Sequence, residues 1–229
     1  MKLHRFYVGK INLESKLEII DKQLVWQWDK VLRFRAGQEL SLFNGDGQEA
    51  LFKLSNLSKN IAKLTKIKDQ KPQSPSKDVW LFWSLLKRDN NELILQKCTE
   101  LGVTNFVPII SERTIKKDLN FERAEKIVIE AAEQSGRADI PKIFSPSRLE
   151  KAIAEYRESM DLFVAEKSGQ IPDSKFQIPK TTGLLVGPEG GWTDGELELF
   201  EQYKLSKINI GQFTLRAETA AIVASSKLL

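Results

Sequence analysis

The sequence predicts an α/β protein: a small β-barrel at the N-terminal end, then a larger parallel α/β sheet, meeting near residue 72. Three observations predict it. Short alternating segments crowd the first seventy residues, a polar stretch with two prolines follows, and from residue 79 onward apolar runs alternate with helical periodicity. With 229 residues, 41% of them apolar, the chain can form one large or two modest domains with a real core.

Within the first part, Glu39-Leu40-Ser41-Leu42-Phe43 and Glu49-Ala50-Leu51-Phe52-Lys53-Leu54 flank Asn44-Gly45-Asp46-Gly47. Two glycines there allow positive φ, so the segments form a hairpin. Asn60 to Ile67 alternates apolar and polar residues, as a half-buried strand does. Strands this short and this close suggest a small barrel. Trp26 and Trp28 precede them, and aromatic residues at that spacing either fill a barrel core or stack on bases.

Lys68 to Lys77 is polar and carries Pro72 and Pro75, which marks a boundary and divides the chain into 1–72 and 73–229. Val79 to Leu86 then reads as a buried strand. Strands near 104–110, 161–166, 183–186 and 207–210, with helices near 90–101, 121–135, 147–159, 194–204 and 217–229, imply a parallel sheet covered by helices.

Composition removes several chemistries. Cys98 is the only cysteine, which forbids an intramolecular disulfide and argues against a thiolate metal cluster. It shares a helical face with Ile94 and Leu101, a core position rather than a nucleophile's. His4 is the only histidine, so imidazole-based hydrolysis is disfavoured and no metal site is expected. No stretch is apolar enough to cross a membrane, and Met1-Lys2-Leu3-His4-Arg5 lacks the apolar run of a secretory signal, so a cytoplasmic location is expected. The net charge of +4 is unevenly spread: residues 1–72 carry 14 Lys/Arg against 8 Asp/Glu, residues 73–229 carry 21 against 23. A basic N-terminal part suits contact with phosphates, although scattered lysines also serve solubility.

Two loops near the C-terminal end carry the functional signal. Gly187-Pro188-Glu189-Gly190-Gly191-Trp192 follows the apolar run Gly183-Leu184-Leu185-Val186, and Gly211-Gln212-Phe213-Thr214-Leu215-Arg216 follows Ile208-Asn209-Ile210. Such strands present ligands to the loops at their carboxyl ends. Trp192 and Thr193 stand where a Walker loop needs Lys and Ser/Thr, Glu189 would repel a polyphosphate, and the dinucleotide spacing G-x-G-x-x-G is absent. What remains suits a flat, adenosine-like ligand without phosphates and with positive charge, the properties of S-adenosylmethionine. The plainer alternative is an ordinary turn, because Thr193 and Glu196 make a capping box. Likewise Arg216 and Glu218 are either a solvated pair or polar groups of a site.

The two loops, with Leu215-Arg216-Ala217-Glu218-Thr219-Ala220, resemble those of the SPOUT (α/β-knot) RNA methyltransferases. More narrowly, the chain resembles the family that methylates N3 of a uridine in 16S ribosomal RNA. His4-Arg5-Phe6-Tyr7-Val8, Gln96 to Val103, Ser111-Glu112-Arg113 and Ala131 to Arg137 carry the same resemblance across the chain. Gln212-Phe213-Thr214 stands where Pro-Arg-Ile is more usual, and Ala217 where Thr is usual. The resemblance implies a PUA-like RNA-binding barrel in 1–72, a trefoil-knotted methyltransferase domain in 73–229, S-adenosylmethionine as cofactor, 16S ribosomal RNA or the small subunit as partner, and a homodimer.

Site roles follow for this sequence. Gly187, Pro188, Gly190, Gly191, Ile210, Gly211 and Thr219, with the backbone around Leu185 and Leu215, are expected to contact the cofactor, and Glu189 to orient its ribose or balance its sulfonium. N3 of uracil carries a proton at neutral pH, so the site needs a proton acceptor or a cation that stabilises the uracil anion. Glu218 and Arg216 are expected to fill those roles. Lys87, Arg88, Arg113 and Arg137 would grip RNA phosphates or complete the site, and Arg5 and Arg35 would add contacts from the basic front. For each arginine or lysine the alternative is a solvated or ion-paired surface charge.

Overall fold

The structure, a computed structural model, describes residues 3–170 and 178–229; Met1 and Lys2 of the start read above lie outside them. The chain forms two compact units, Met1–Ser74 with Ala132–Ile140, and Pro75–Ala131 with Pro141–Leu229. A short segment from the middle of the chain therefore completes the first unit, where the sequence division at 72/73 left it in the second.

The first unit is a five-stranded sheet in the order β1-β3-β4-β5-β2, with β1 His4–Tyr7, β2 Lys16–Ile19, β3 Glu39–Phe43, β4 Glu49–Leu57 and β5 Ala62–Gln70. The hairpin β3–β4 forms as expected: Gly45 and Gly47 take φ of 77° and 84°, and the Asn44 side-chain oxygen accepts from the N–H groups of Asp46 and Gln48 at 3.0 and 3.1 Å. That buried amide replaces the missing ladder partners of the turn. Helix α1, Lys22–Trp26, starts where Asp21 accepts from the N–H groups of Gln23 and Leu24, and runs into a π-helical turn, Gln27–Val31. Two positions apart on a helical segment, the two tryptophans face opposite sides. Trp28 is fully buried with Phe6 and Phe34 in the core, whereas Trp26 is 57% exposed.

Arg5 and Arg137, expected to touch RNA, lie inside this unit instead. Arg5 binds both oxygens of Glu49 at 2.7 and 3.0 Å and donates to the carbonyls of Ala132 and Arg137 at 2.9 and 2.8 Å; only 12% of its side chain is exposed. Arg137 is 6% exposed and paired with Asp139. The physical reason is closure. The segment 132–140 docks through Ala138 N–H on the Gln73 carbonyl and Tyr7 N–H on Glu133, and the Arg5 guanidinium satisfies the carbonyls this leaves inside. Arg35 does lie on the surface, with one guanidinium nitrogen on the Phe34 carbonyl at 3.0 Å.

The second unit is a parallel sheet in the order β12-β10-β11-β6-β7-β8, with β9 also pairing β7. Its strands are β6 Asp78–Ser84, β7 Asn105–Ile110, β8 Lys142–Ile143, β9 Ser147–Arg148, β10 Asp161–Gln170, β11 Thr181–Val186 and β12 Ser206–Ile208. Its helices are α2 Arg88–Leu101, α3 Phe121–Ser135, whose last turn belongs to the first unit, α4 Leu149–Tyr156, α5 Asp194–Gln202 and α6 Ala217–Leu228. β11 lies between β10 and β6 and is buried from Thr182 to Val186, which explains its unbroken apolar run. The small side chains of α6 let it approach α2, where Ser225 Oγ lies 3.6 Å from Cys98 Sγ. Cys98 is fully buried, as its helical face implied, and burial pushes its thiol up to about 12.

Candidate functional site

All strand pairs of the second unit are parallel, so the loops after β6, β7, β11 and β12 share one edge of the sheet, beside Ala165, Glu166 and Lys167 of β10. They surround a cleft of about 1140 Å³ that continues onto the first turn of α6. Both glycine loops line it.

The first loop is built tightly. A Cβ on Gly187 would come within 3.0 Å of the Trp192 ring, so glycine lets that ring fold back over the strand end. Gly191 takes φ of +66° and donates to the Pro188 carbonyl at 2.9 Å, which closes the turn. Trp192 itself packs edge-on against Phe200 of α5. The expected capping box is present: Thr193 and Glu196 exchange side-chain and backbone bonds at the start of α5. Glu196 also accepts from Glu112 N–H at 2.8 Å, and Thr193 Oγ1 donates to the Glu112 carboxylate at 2.8 Å. The neighbouring Arg113 donates to the carbonyls of Gly190 and Trp192 at 2.7 and 3.2 Å. Four bonds from Glu112 and Arg113 thus pin the loop after β7 to the glycine loop and the start of α5, and Arg113 holds a wall of the cleft.

The second loop is fixed by a residue the sequence reading passed over. Asn209 accepts from Gly211 N–H at 3.0 Å and donates to the Lys167 carbonyl at 2.8 Å, tying the loop to β10. An Asn two residues before a glycine is the detectable signal for such a turn. On the facing side, Asn91 of α2 accepts from Leu86 N–H and Trp83 Nε1 at 3.0 Å and donates to the Leu86 carbonyl at 2.8 Å, holding the chain that leads to Lys87.

Gly187, Pro188, Glu189, Gly190, Gly191, Ile210, Gly211, Leu215, Arg216 and Glu218 all line the cleft, and so do Lys87 and Arg113. Others expected at the site do not. Leu185 is 1% exposed and packs into the core, so only its strand position supports the loop, and Thr219 points away on the exposed side of α6. Arg88 pairs with Glu92 one turn along α2, outside the lining. Sequence reasoning had missed Lys116, Lys167 and Glu166, which carry no local signal. Glu166 remains a carboxylate: burial raises its pKa, but bonds from Ser168, with those of Lys167 N–H and the charge of Lys207, outweigh that and hold it below the usual value.

Arg216 stands at the N-cap position of α6 without a side-chain cap bond and is exposed in the cleft lining. Glu218 is different. It is 8% exposed, and its Oε2 has no hydrogen-bond partner among the described residues. A buried carboxylate oxygen left alone costs free energy unless something polar meets it, so a donor in the cleft is the natural complement. Glycine walls and carboxylates, in a loop without the Lys and Ser/Thr of a Walker motif, fit a cationic adenosine-type cofactor.

Comparison with known proteins gives the same direction. Residues 72–229 match an RNA methyltransferase domain family and residues 30–67 an RNA methyltransferase PUA domain. The ribosomal RNA small subunit methyltransferase E of Rickettsia conorii is 34% identical, covering 100% of this chain and 96% of the relative. The enzyme of that name from Bacillus subtilis is 32% identical over 86% of this chain and 84% of its own length. A crystal structure of the Neisseria gonorrhoeae enzyme bound to S-adenosylmethionine superposes with a TM-score of 0.89 at 28% identity, covering 98% of this chain and 96% of that one. With both domains matched and the same two-part fold in the relatives, this chain belongs to the ribosomal RNA small subunit methyltransferase E family.

Proposed function

We propose that this chain transfers a methyl group from S-adenosylmethionine to N3 of a uridine in 16S ribosomal RNA. The observation that carries the reading is the convergence of both glycine loops on one cleft containing a buried, unpartnered carboxylate oxygen, that of Glu218. Bound S-adenosylmethionine supplies a methyl on a sulfonium, which becomes a neutral thioether as the N3–C bond forms and the C–S bond breaks. The chain's residues then divide the work. Backbone groups from Gly187 to Gly191 and from Ile210 to Leu215 hold the adenosine and fix the line of approach to N3. Glu189 engages the ribose or balances the sulfonium. Glu218 accepts the N3 proton, and Arg216, exposed at the cleft, stabilises the charge that develops on the uracil.

In this reading residues 1–72 contact RNA and residues 73–229 carry the chemistry. Arg35 and the exposed Trp26 offer a charge and a stacking face on the first part, while Lys87 and Arg113 border the cleft on the second. The placement of β10 between β11 and β12 supports the trefoil threading that the resemblance implies. The protein is further proposed to act as a homodimer in the cytoplasm; no helix among the described residues is long and apolar enough to cross a membrane. Calorimetry with S-adenosylmethionine tests the cofactor, and no binding at millimolar concentration overturns the proposal. Incubation with labelled cofactor and either assembled small subunits or bare RNA, followed by mapping of the modified nucleotide, tests the position. Methylation on carbon, on ribose or on another base refutes the uracil-N3 assignment.

A further inference from the structure

The cleft carries an apolar surface that the roles above leave unused. Ile115, in the loop after β7, is 85% exposed, and Phe213, in the loop after β12, is 75% exposed; both line the cleft, whereas Leu85 and Val186 in the same lining are buried. Two large apolar side chains held in water beside a site call for a ligand that covers them. Lys87, Lys116 and Arg216 line the same space and make no ion pair among the described residues.

A base modified inside a cleft must leave the stack of its RNA, and once out its flat faces need apolar cover while the flanking phosphates need cations. We propose that Phe213 and Ile115 form a clamp for the everted pyrimidine, Phe213 stacking on one face, with Lys87 and Lys116 holding the phosphates on either side. The proposal rests on the methyltransferase reading. A second copy of this chain is the competing occupant, but across a two-fold contact it would bring the same cations against themselves, whereas RNA complements them.

The test compares Phe213→Ala, Phe213→Tyr and Ile115→Ser with the unaltered protein in single-turnover methylation at saturating S-adenosylmethionine. Cofactor calorimetry and molar mass by light scattering are measured alongside. Phe213→Ala is expected to lower the apparent RNA affinity about 5- to 150-fold, the usual loss of one base-aromatic stack. Phe213→Tyr is expected to retain most of it, with cofactor affinity and mass unchanged. Undiminished RNA affinity in Phe213→Ala overturns the clamp, and so does a loss that accompanies a change in mass, which would give the surface to a second copy. If the unaltered protein transfers no methyl group, the parent reading fails, and the clamp is read directly from binding of a uridine-containing single-stranded oligonucleotide. Equal affinity of Phe213→Ala and the unaltered protein in that assay overturns it.

Discussion

Arg5→Ala removes a guanidinium bonded twice to Glu49 and once each to the carbonyls of Ala132 and Arg137, and stacked 3.8 Å above the Phe43 ring. Glu49, with a side chain 10% exposed, would keep only the Ser41 hydroxyl at 2.7 Å. Stranding one member of a buried ion pair costs about 3–5 kcal/mol, because the remaining charge loses its counter-ion without regaining full hydration. A domain's whole stability is about 5–15 kcal/mol, so the first unit would be severely weakened. Urea titration monitored by circular dichroism reads the loss. Arg5→Met combined with Glu49→Gln is expected to be less damaging than the sum of the single changes, since no charge is then left buried. The opposite pattern would refute this reasoning: a loss below about 1 kcal/mol, as for an exposed pair, together with a salt slope of RNA binding reduced by about one, as for a phosphate contact.

Other expectations concern the cleft and the core. Arg216→Ala should lower the methyl-transfer rate about 100-fold, the usual scale for a preorganised electrostatic group, while cofactor affinity measured by calorimetry stays near that of the unaltered protein; a loss confined to cofactor binding contradicts the assigned role. Glu218→Gln keeps the shape of the side chain but removes its basicity, so turnover should fall while thermal stability holds or rises, and full activity would assign proton removal elsewhere. Gly187→Val puts a Cβ within 3.0 Å of the Trp192 ring, displaces that ring and should weaken cofactor binding, read by calorimetry. Cys98 should resist alkylation in the folded protein at pH 8 and react on unfolding. Burial lifts its folded pKa to about 12 from the ordinary 9.0, so its contribution to stability is complete below pH 9 and is lost as pH rises from there toward 12. Rapid labelling of the folded protein would contradict this burial.

Much of the architecture was written in local pattern. The hairpin β3–β4 followed from its two glycines, and the parallel sheet from apolar runs separated by helical periods, because both signals lie within a few residues of each other. The two glycine loops could be placed at one site because parallel strands share an edge. Side-chain destinations were less legible. Nothing in the neighbourhood of Arg5 reveals that its partners are 44, 127 and 132 residues away. Trp26 and Trp28 would share a face in a strand, but the segment is helical, and two positions along a helix are about 200° apart, so only Trp28 reaches the core. Thr219 and Arg88 sit beside site residues in sequence, yet a helix turns successive side chains by about 100°, which carries them off the cleft. β1 and β2 are four residues each, too short for periodicity to register.

The completion of the first unit by residues 132–140 bears on how the chain is made. Synthesis delivers the five strands of that unit within the first seventy residues, but the carbonyls that Arg5 must satisfy, at Ala132 and Arg137, emerge only after β6, α2, β7 and most of α3. Until then the Arg5–Glu49 pair has water where protein will be. The N-terminal unit therefore reaches its final stability after much of its successor has been translated, and a ribosome stalled near residue 100 would carry a loosened sheet rather than a finished domain. The first unit is thus begun before its successor and finished after much of it.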